Sequence, residues 1–167
     1  MTRGRRWIAA ALLVAAAGAV FAARVNREMA DFEVYRVAGT RVLAGTSLYQ
    51  AGDGHWQFKY LPVFAFAVAP LAAMPPAMAR GVWFFLSIVL LALLLQRSLV
   101  LLPERRRAGA VLVGLTTVAM AKFYVRELNL GQSNLLLAVL VLAAVGAWRR
   151  GRDPLAGGLC AAAAMVK

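Results

Sequence analysis

The chain has 167 residues, 62% of them apolar, and a formal net charge of +12. Soluble domains hold about 45–50% apolar residues, and the excess here falls in long Ala-, Leu- and Val-rich blocks divided by short arginine-containing breaks, which excludes a soluble-domain reading. The positive charge does not point to nucleic acid: Arg3, Arg5 and Arg6, Arg105 to Arg107, and Arg149, Arg150 and Arg152 each abut an apolar block, as cytoplasmic loops do, and no basic face interleaves with aromatics.

In chain order, the first block (7–23) comes after a basic start and is expected to be the first transmembrane segment, an uncleaved signal-anchor with a cleaved signal peptide as the alternative. Either way, the residues after Ala23 are expected to be exported. Residues 24–60 form the only substantial polar stretch, read as an external loop. Within it Asp31, Tyr35, Ala38 and Val42 share one helical face, with Phe32 and Leu43 beside it. That spacing predicts an amphipathic helix over 31–44 lying on the membrane surface and ended by Gly45. Gly52-Asp53-Gly54 marks a turn.

Further apolar segments occupy 61–166, at 61–74, 78–102, 108–121, 135–148 and 154–166, with Pro75-Pro76 breaking the first pair. If all three arginine clusters are cytoplasmic, an even number of crossings separates the first from the second. Of 7–23, 61–74 and 78–102, the short, proline-bounded 61–74 is then expected to enter without crossing; the alternative is that Arg105 to Arg107 face outward against the rule. Segments 108–121 and 135–148 go out and return, leaving 122–134 as an external loop. The expectation is an all-α, polytopic transmembrane protein with one membrane domain over 1–167, multi-pass in the plasma membrane. Because Lys167 directly succeeds an apolar run, the chain reads as the N-terminal part of a longer one.

No metal or disulfide is expected. Cys160 stands alone in a Gly/Ala-rich run, and His55 has no Cys or His partner at ligand spacing.

Three polar places at segment ends are expected to carry function, since polar groups there cost free energy without a partner or a task. Asp31 opens the amphipathic helix, either as an ordinary N-cap or as a carboxylate usable as a general base. His55 to Pro62 holds the aromatics and lysine of any interfacial belt, but Lys59 could also meet a phosphate-bearing lipid headgroup. In 122–134, Gln132 and Asn134 suit interhelical hydrogen bonding, while Arg126 and Glu127 read as solvated. All three places fall on the external side, so a shared site is plausible.

Taken in order, Asp31-Phe32-Glu33-Val34-Tyr35-Arg36-Val37-Ala38-Gly39, Gly45-Thr46-Ser47-Leu48-Tyr49, Phe58-Lys59-Tyr60-Leu61-Pro62, Ala69-Pro70-Leu71 and Leu130-Gly131-Gln132-Ser133-Asn134 resemble glycosyltransferase family 87. The family comprises polyprenyl-phosphate-mannose-dependent mannosyltransferase-like membrane enzymes of GT-C architecture. The chain departs from the family at Leu61, where a Tyr-Pro-Pro motif has its first proline. The resemblance implies a GT-C-like N-terminal module and inverting transfer of a sugar from a polyprenyl-phosphate donor to a lipid-linked or cell-envelope glycan acceptor. The donor is a substrate, and no cofactor is implied. Asp31 is then the general base. Lys59, Arg36 and Arg126, in that order, are candidate cations for the leaving phosphate. Tyr35 and Tyr60 would stack on sugar, and Gln132 and Asn134 would bind hydroxyls or brace the first loop. Partners are the donor, the acceptor and membrane lipids. A transporter or channel subunit, or a non-catalytic scaffold, are the competing readings.

Overall fold

Proline and glycine punctuation divides the chain into helices, and the computed structural model, which describes residues 16, 18–21, 23, 29–102 and 108–166, respects that punctuation closely. Among the described residues it is wholly helical: α1 (Ala30–Ala44), a 3₁₀ turn (Ala51–Trp56), α2 (Pro62–Ala72), α3 (Pro76–Leu101), α4 (Gly109–Leu130), α5 (Asn134–Trp148) and α6 (Asp153–Val166). Most of the expected first segment over 7–23, Arg3, Arg5, Arg6, Arg105 to Arg107 and Lys167 lie outside the described residues.

The α1 helix begins one residue before the expected 31 and ends at 44, where Gly45, in the left-handed region at φ 64°, closes it. Its N-cap is Met29, without a side-chain cap, so Asp31 sits in the first turn and is not the cap. The buried stripe Phe32, Tyr35, Ala38 and Gly39 faces protein rather than a membrane surface. The reason is the close approach of α2: a Cβ on Gly39 would lie 2.9 Å from Ala72 Cβ and 3.1 Å from Ala69 Cα. Small residues at 39, 69 and 72 therefore let the two backbones touch, and the apolar face meant for lipid is already covered.

The α2 helix starts with Pro62 in its first turn, and Leu61 before it is extended at φ −65°, ψ 148°. Those angles are ones a proline ring permits, so the departure at Leu61 leaves the local backbone path as a proline would set it. Pro75-Pro76 then separates α2 from α3, with Pro76 opening α3.

Helices α3 and α4, of 26 and 22 residues, are long and apolar enough to cross a membrane, whereas α2, α5 and α6 are shorter apolar helices. At 1.5 Å per residue, α3 and α4 reach about 39 and 33 Å against roughly 30 Å of hydrocarbon. One expectation fails here: α4 continues to Leu130, so Lys122 to Leu130 is helix and the connection to α5 is a tight turn. Gly131, at φ 69°, makes that turn. The polar residues of this stretch continue the helix, being compatible with helical spacing.

A core of Met29, Phe32, Tyr35, Phe58, Phe64, Trp83 and Phe84 gathers where α1, α2 and the start of α3 meet. The α5 and α6 helices form a hairpin through Arg149 to Arg152, and α5 also packs along α3. At the far end of that packing Arg149 Nη1 donates to the Leu101 carbonyl at 2.7 Å. By contrast α4 carries Leu115, Val118 and Phe123 exposed at 65%, 78% and 62%.

Candidate active site

Gly131 is the pivot on which the site is built. Its positive φ and the absence of a side chain let the α4–α5 turn press against α1: an added Cβ would stand 2.7 Å from Phe32 Cβ and 2.8 Å from Met29 Cε. The turn is clamped from α3 by Trp83, whose Nε1 donates to the Gly131 carbonyl at 2.9 Å. Trp83 itself stacks on Phe32 with ring centroids 5.3 Å apart and meets Tyr35 edge-on at 5.8 Å.

With the turn fixed there, Gln132 Nε2 donates to Asp31 Oδ2 at 2.7 Å, joining residues 101 positions apart. Asn134 Nδ2 donates to Gln132 Oε1 at 3.0 Å and to Glu127 Oε2 at 3.0 Å. Glu127, on the last turn of α4, is buried, and its Oε1 accepts the Leu135 backbone N–H at 3.1 Å. A carboxylate at that place satisfies an otherwise open N–H of the α5 N-terminus and sits favourably on the helix dipole.

Asp31 opens on a cleft of about 380 Å³ lined by Asp31, Val34, Tyr35, His55, Trp56, Gln57, Lys59 and Tyr60. Lys59 is exposed there, and the two tyrosines are joined by a 3.0 Å hydroxyl–hydroxyl hydrogen bond. Burial, before any hydrogen bond, pushes the Tyr35 hydroxyl far above the usual tyrosine range; its bond to Tyr60 adds to this and Ser133 partly offsets it. Tyr35 therefore stays a neutral phenol where a solvent-exposed tyrosine would ionise.

The loop carrying Lys59 is tied back to α1 by Arg41, whose guanidinium donates twice to Asp53, at 2.6 Å each, and once to the Leu48 carbonyl at 3.1 Å. This fork-to-fork pairing holds the Asp53 carboxyl below the usual carboxylate range. Tyr49 adds a hydroxyl bond of 2.8 Å to the Tyr60 carbonyl. A second cleft of about 330 Å³, lined by Ala30, Glu33, Val34, Val37, Asp53 and Trp56, adjoins the first across Val34 and Trp56.

Of the residues singled out in the sequence, Asp31, Lys59, Tyr35 and Tyr60 share one cleft, and Gln132 and Asn134 reach it through hydrogen bonds. Arg36 is committed to Glu33, donating from Nε at 3.0 Å to both carboxylate oxygens; that hydrogen bond lowers the Glu33 carboxyl below its ordinary value. Arg126 is exposed on α4 and lines neither cleft. Glu127, read in the sequence as solvated, is buried instead, and Trp83 draws no notice there. Glu127 had one visible signal, a carboxylate eight positions before the first apolar residues of the next helix, but its partners exist only once the turn has formed. Trp83 looks like any aromatic in an apolar run. Among the described residues no group of three or more His, Cys, Asp or Glu is placed to hold a metal.

No curated protein and no solved structure gives a significant match to the chain. The profile of Glycosyltransferase family 87 matches residues 58–167, which takes in the cleft residues Lys59 and Tyr60, the clamp residue Trp83 and the whole Glu127–Asn134 turn, and leaves Asp31 outside it. With about two thirds of its length so matched, the chain belongs to glycosyltransferase family 87.

Proposed function

We propose that the chain carries the acceptor-activating part of an inverting membrane glycosyltransferase site. In this reading a hexose or pentose, with mannose first among them, moves from a polyprenyl-phosphate donor to a lipid-linked or cell-envelope glycan acceptor. The family itself implies a sugar donor and an acceptor. The supporting observation is that Gln132, inside the family-matched segment, grips Asp31 on a cleft that also holds Lys59, Tyr35 and Tyr60.

Chemically, Asp31 Oδ2 is taken by Gln132, leaving Oδ1 to receive the proton of an acceptor hydroxyl. The hydroxyl oxygen attacks the anomeric carbon from the face opposite the phosphate. The bond from that carbon to the phosphate oxygen breaks, its electron pair leaves with the phosphate, and the sugar's configuration inverts. Lys59, exposed at the cleft, supplies positive charge for the leaving phosphate. Arg36 is the weaker candidate because Glu33 already balances its charge, and Arg126 is the weakest. The half-buried ring of Tyr60 is left to meet a sugar, whereas Tyr35, 1% exposed and packed against Tyr60, Phe64 and Trp83, has no free face and serves as the support behind it.

The same reading puts this end of the bundle at the external surface of the plasma membrane and Arg149 to Arg152 at the cytoplasmic end, in a multi-pass chain forming one membrane domain. In support, α2 has 11 residues, about 16 Å by helical rise, and lies alongside α1, as a segment that enters without crossing would. The exposed apolar side chains of α4 suit lipid or further helices.

The test is transfer of label from tritiated polyprenyl-phosphate mannose, and from its hexose and pentose counterparts, into lipid-linked acceptors in membranes containing the protein. Asp31→Asn is expected to insert normally and to transfer nothing. Turnover by that variant, or solute uptake without transfer by the wild type, overturns the reading.

A further inference from the structure

A primary amide such as Gln132 or Asn134 can present either its NH₂ or its carbonyl to a neighbour, and the two orientations have nearly the same shape. Which one faces Asp31 is therefore set by the groups around the amides. The direction is set at both ends of the chain of hydrogen bonds, by the Asp31 carboxylate, which only accepts, and by Glu127. Its carboxylate accepts only, and its Oε1 is already occupied by the Leu135 backbone N–H, which can only donate. Oε2 then requires Asn134 to turn its NH₂ inward, as it does at 3.0 Å. The same nitrogen has a second hydrogen, which meets Gln132 Oε1 at 3.0 Å. Gln132 is left with its NH₂ towards Asp31 Oδ2 at 2.7 Å.

We infer that Glu127 is a positioning residue for the base, acting through Asn134 and Gln132 to keep a hydrogen-bond donor on Asp31 and so to aim the carboxylate's other oxygen into the cleft. The inference rests on the reading of Asp31 as general base. Reversal of the chain would set the Gln132 carbonyl against the Asp31 carboxylate, and the carboxylate would turn away from it. Capping of α5 is a separate task, and Gln at 127 could perform it, since one amide oxygen still accepts the Leu135 N–H. What Gln cannot do is accept on both of its terminal atoms. Its NH₂ would face the NH₂ of Asn134, so the amides either reverse against Asp31 or part at Asn134, and in both cases Gln132 loses the support that holds its NH₂ on Asp31. Glu127→Gln thus separates the structural task from the positioning one.

Transfer kinetics with tritiated polyprenyl-phosphate mannose in membranes distinguish the two. Glu127→Gln is expected to lower kcat by about ten- to a hundredfold, the scale of a misaimed catalytic group, with KM for the donor unchanged. Combined with Gln132→Leu, which has no amide to reverse, the same substitution is expected to add no further loss. If the two losses multiply instead, Glu127 acts only on the fold and the inference is overturned. Should Glu127→Gln fail to accumulate in membranes, Asn134→Leu cuts the chain while leaving Glu127 on Leu135; it must show the same kcat loss and the same absence of a further loss with Gln132→Leu. Full kcat in Glu127→Gln alongside an inactive Asp31→Asn overturns the positioning role and leaves the base standing. Activity in Asp31→Asn, or none in the wild type, overturns both.

Discussion

Placing a single methyl group on Gly131 tests how tightly the α4–α5 turn must press on α1. The φ of 69° puts any L-residue in the left-handed region, which costs about 1–2 kcal/mol. The new Cβ would also stand 2.8 Å from Met29 Cε and 2.7 Å from Phe32 Cβ. Met29 Cε is the end of a flexible side chain and can yield. Phe32 Cβ is joined directly to the α1 backbone and can yield only if the helix moves. Overpacking of this kind costs about 1–3 kcal/mol, so Gly131→Ala should lose about 2–5 kcal/mol in all. The assay is reversible unfolding in mixed detergent micelles, read by tryptophan fluorescence, because Trp83 donates to the Gly131 carbonyl and reports on this contact. Transfer activity should fall with stability, since Gln132 is the next residue. A change within about 0.5 kcal/mol, the range of an ordinary surface substitution, would refute the close approach.

Three more outcomes are expected. Trp83→Phe keeps an aromatic ring but leaves the Gly131 carbonyl without its donor, and the same unfolding assay should show a loss of about 1–3 kcal/mol; an unchanged midpoint would mean that the carbonyl finds another partner. In ultraviolet titration Tyr35 should stay protonated where the unfolded chain ionises, near pH 10. The native state then holds the extra proton, so this residue's contribution to stability falls as pH rises through that value; Tyr35→Phe should flatten the alkaline decline, and an unaltered slope would contradict the assignment. Arg41→Gln releases the bonds to Asp53 and Leu48 and should speed proteolysis within 45–57 while leaving α1 helical, whereas wild-type cleavage rates would show that the loop is held elsewhere.

The apolar segments and their breaks were legible from composition and proline alone, because each is a local property. So was the 31–44 helix, through its period and Gly45. Legibility ended where a partner lies far along the chain. Asp31 at the start of a helix looks like a cap, and nothing nearby reveals that Gln132 claims its oxygen. The stretch from Lys122 looks like a loop because its side chains are polar, yet polarity records exposure and not backbone path, and the helix runs through it to Leu130. Glu127 reads as solvated for the same reason, although it is buried. Conversely, Arg36 at three residues from Glu33 could have been recognised as a paired charge from spacing alone. The grouping of Lys59 and Tyr60 with Asp31 came from ordered short motifs, and the cleft brings those residues together.

Two hydrogen bonds measure the molecule like marks on a ruler. Trp83 reaches Gly131 at one end of α3 and Arg149 reaches Leu101 at the other, and each spans 48 positions. The lengths of chain between the two marks are therefore equal on α3 and on the turn plus α5, and the two run in the same direction. Adding one residue to either would advance it about 1.5 Å and rotate it about 100°, so that only one mark could still be met. An insertion in either helix between the marks should therefore disturb the packing of α5 along α3, and the distance from the site to the arginine-bearing end is set by the number of residues between the marks.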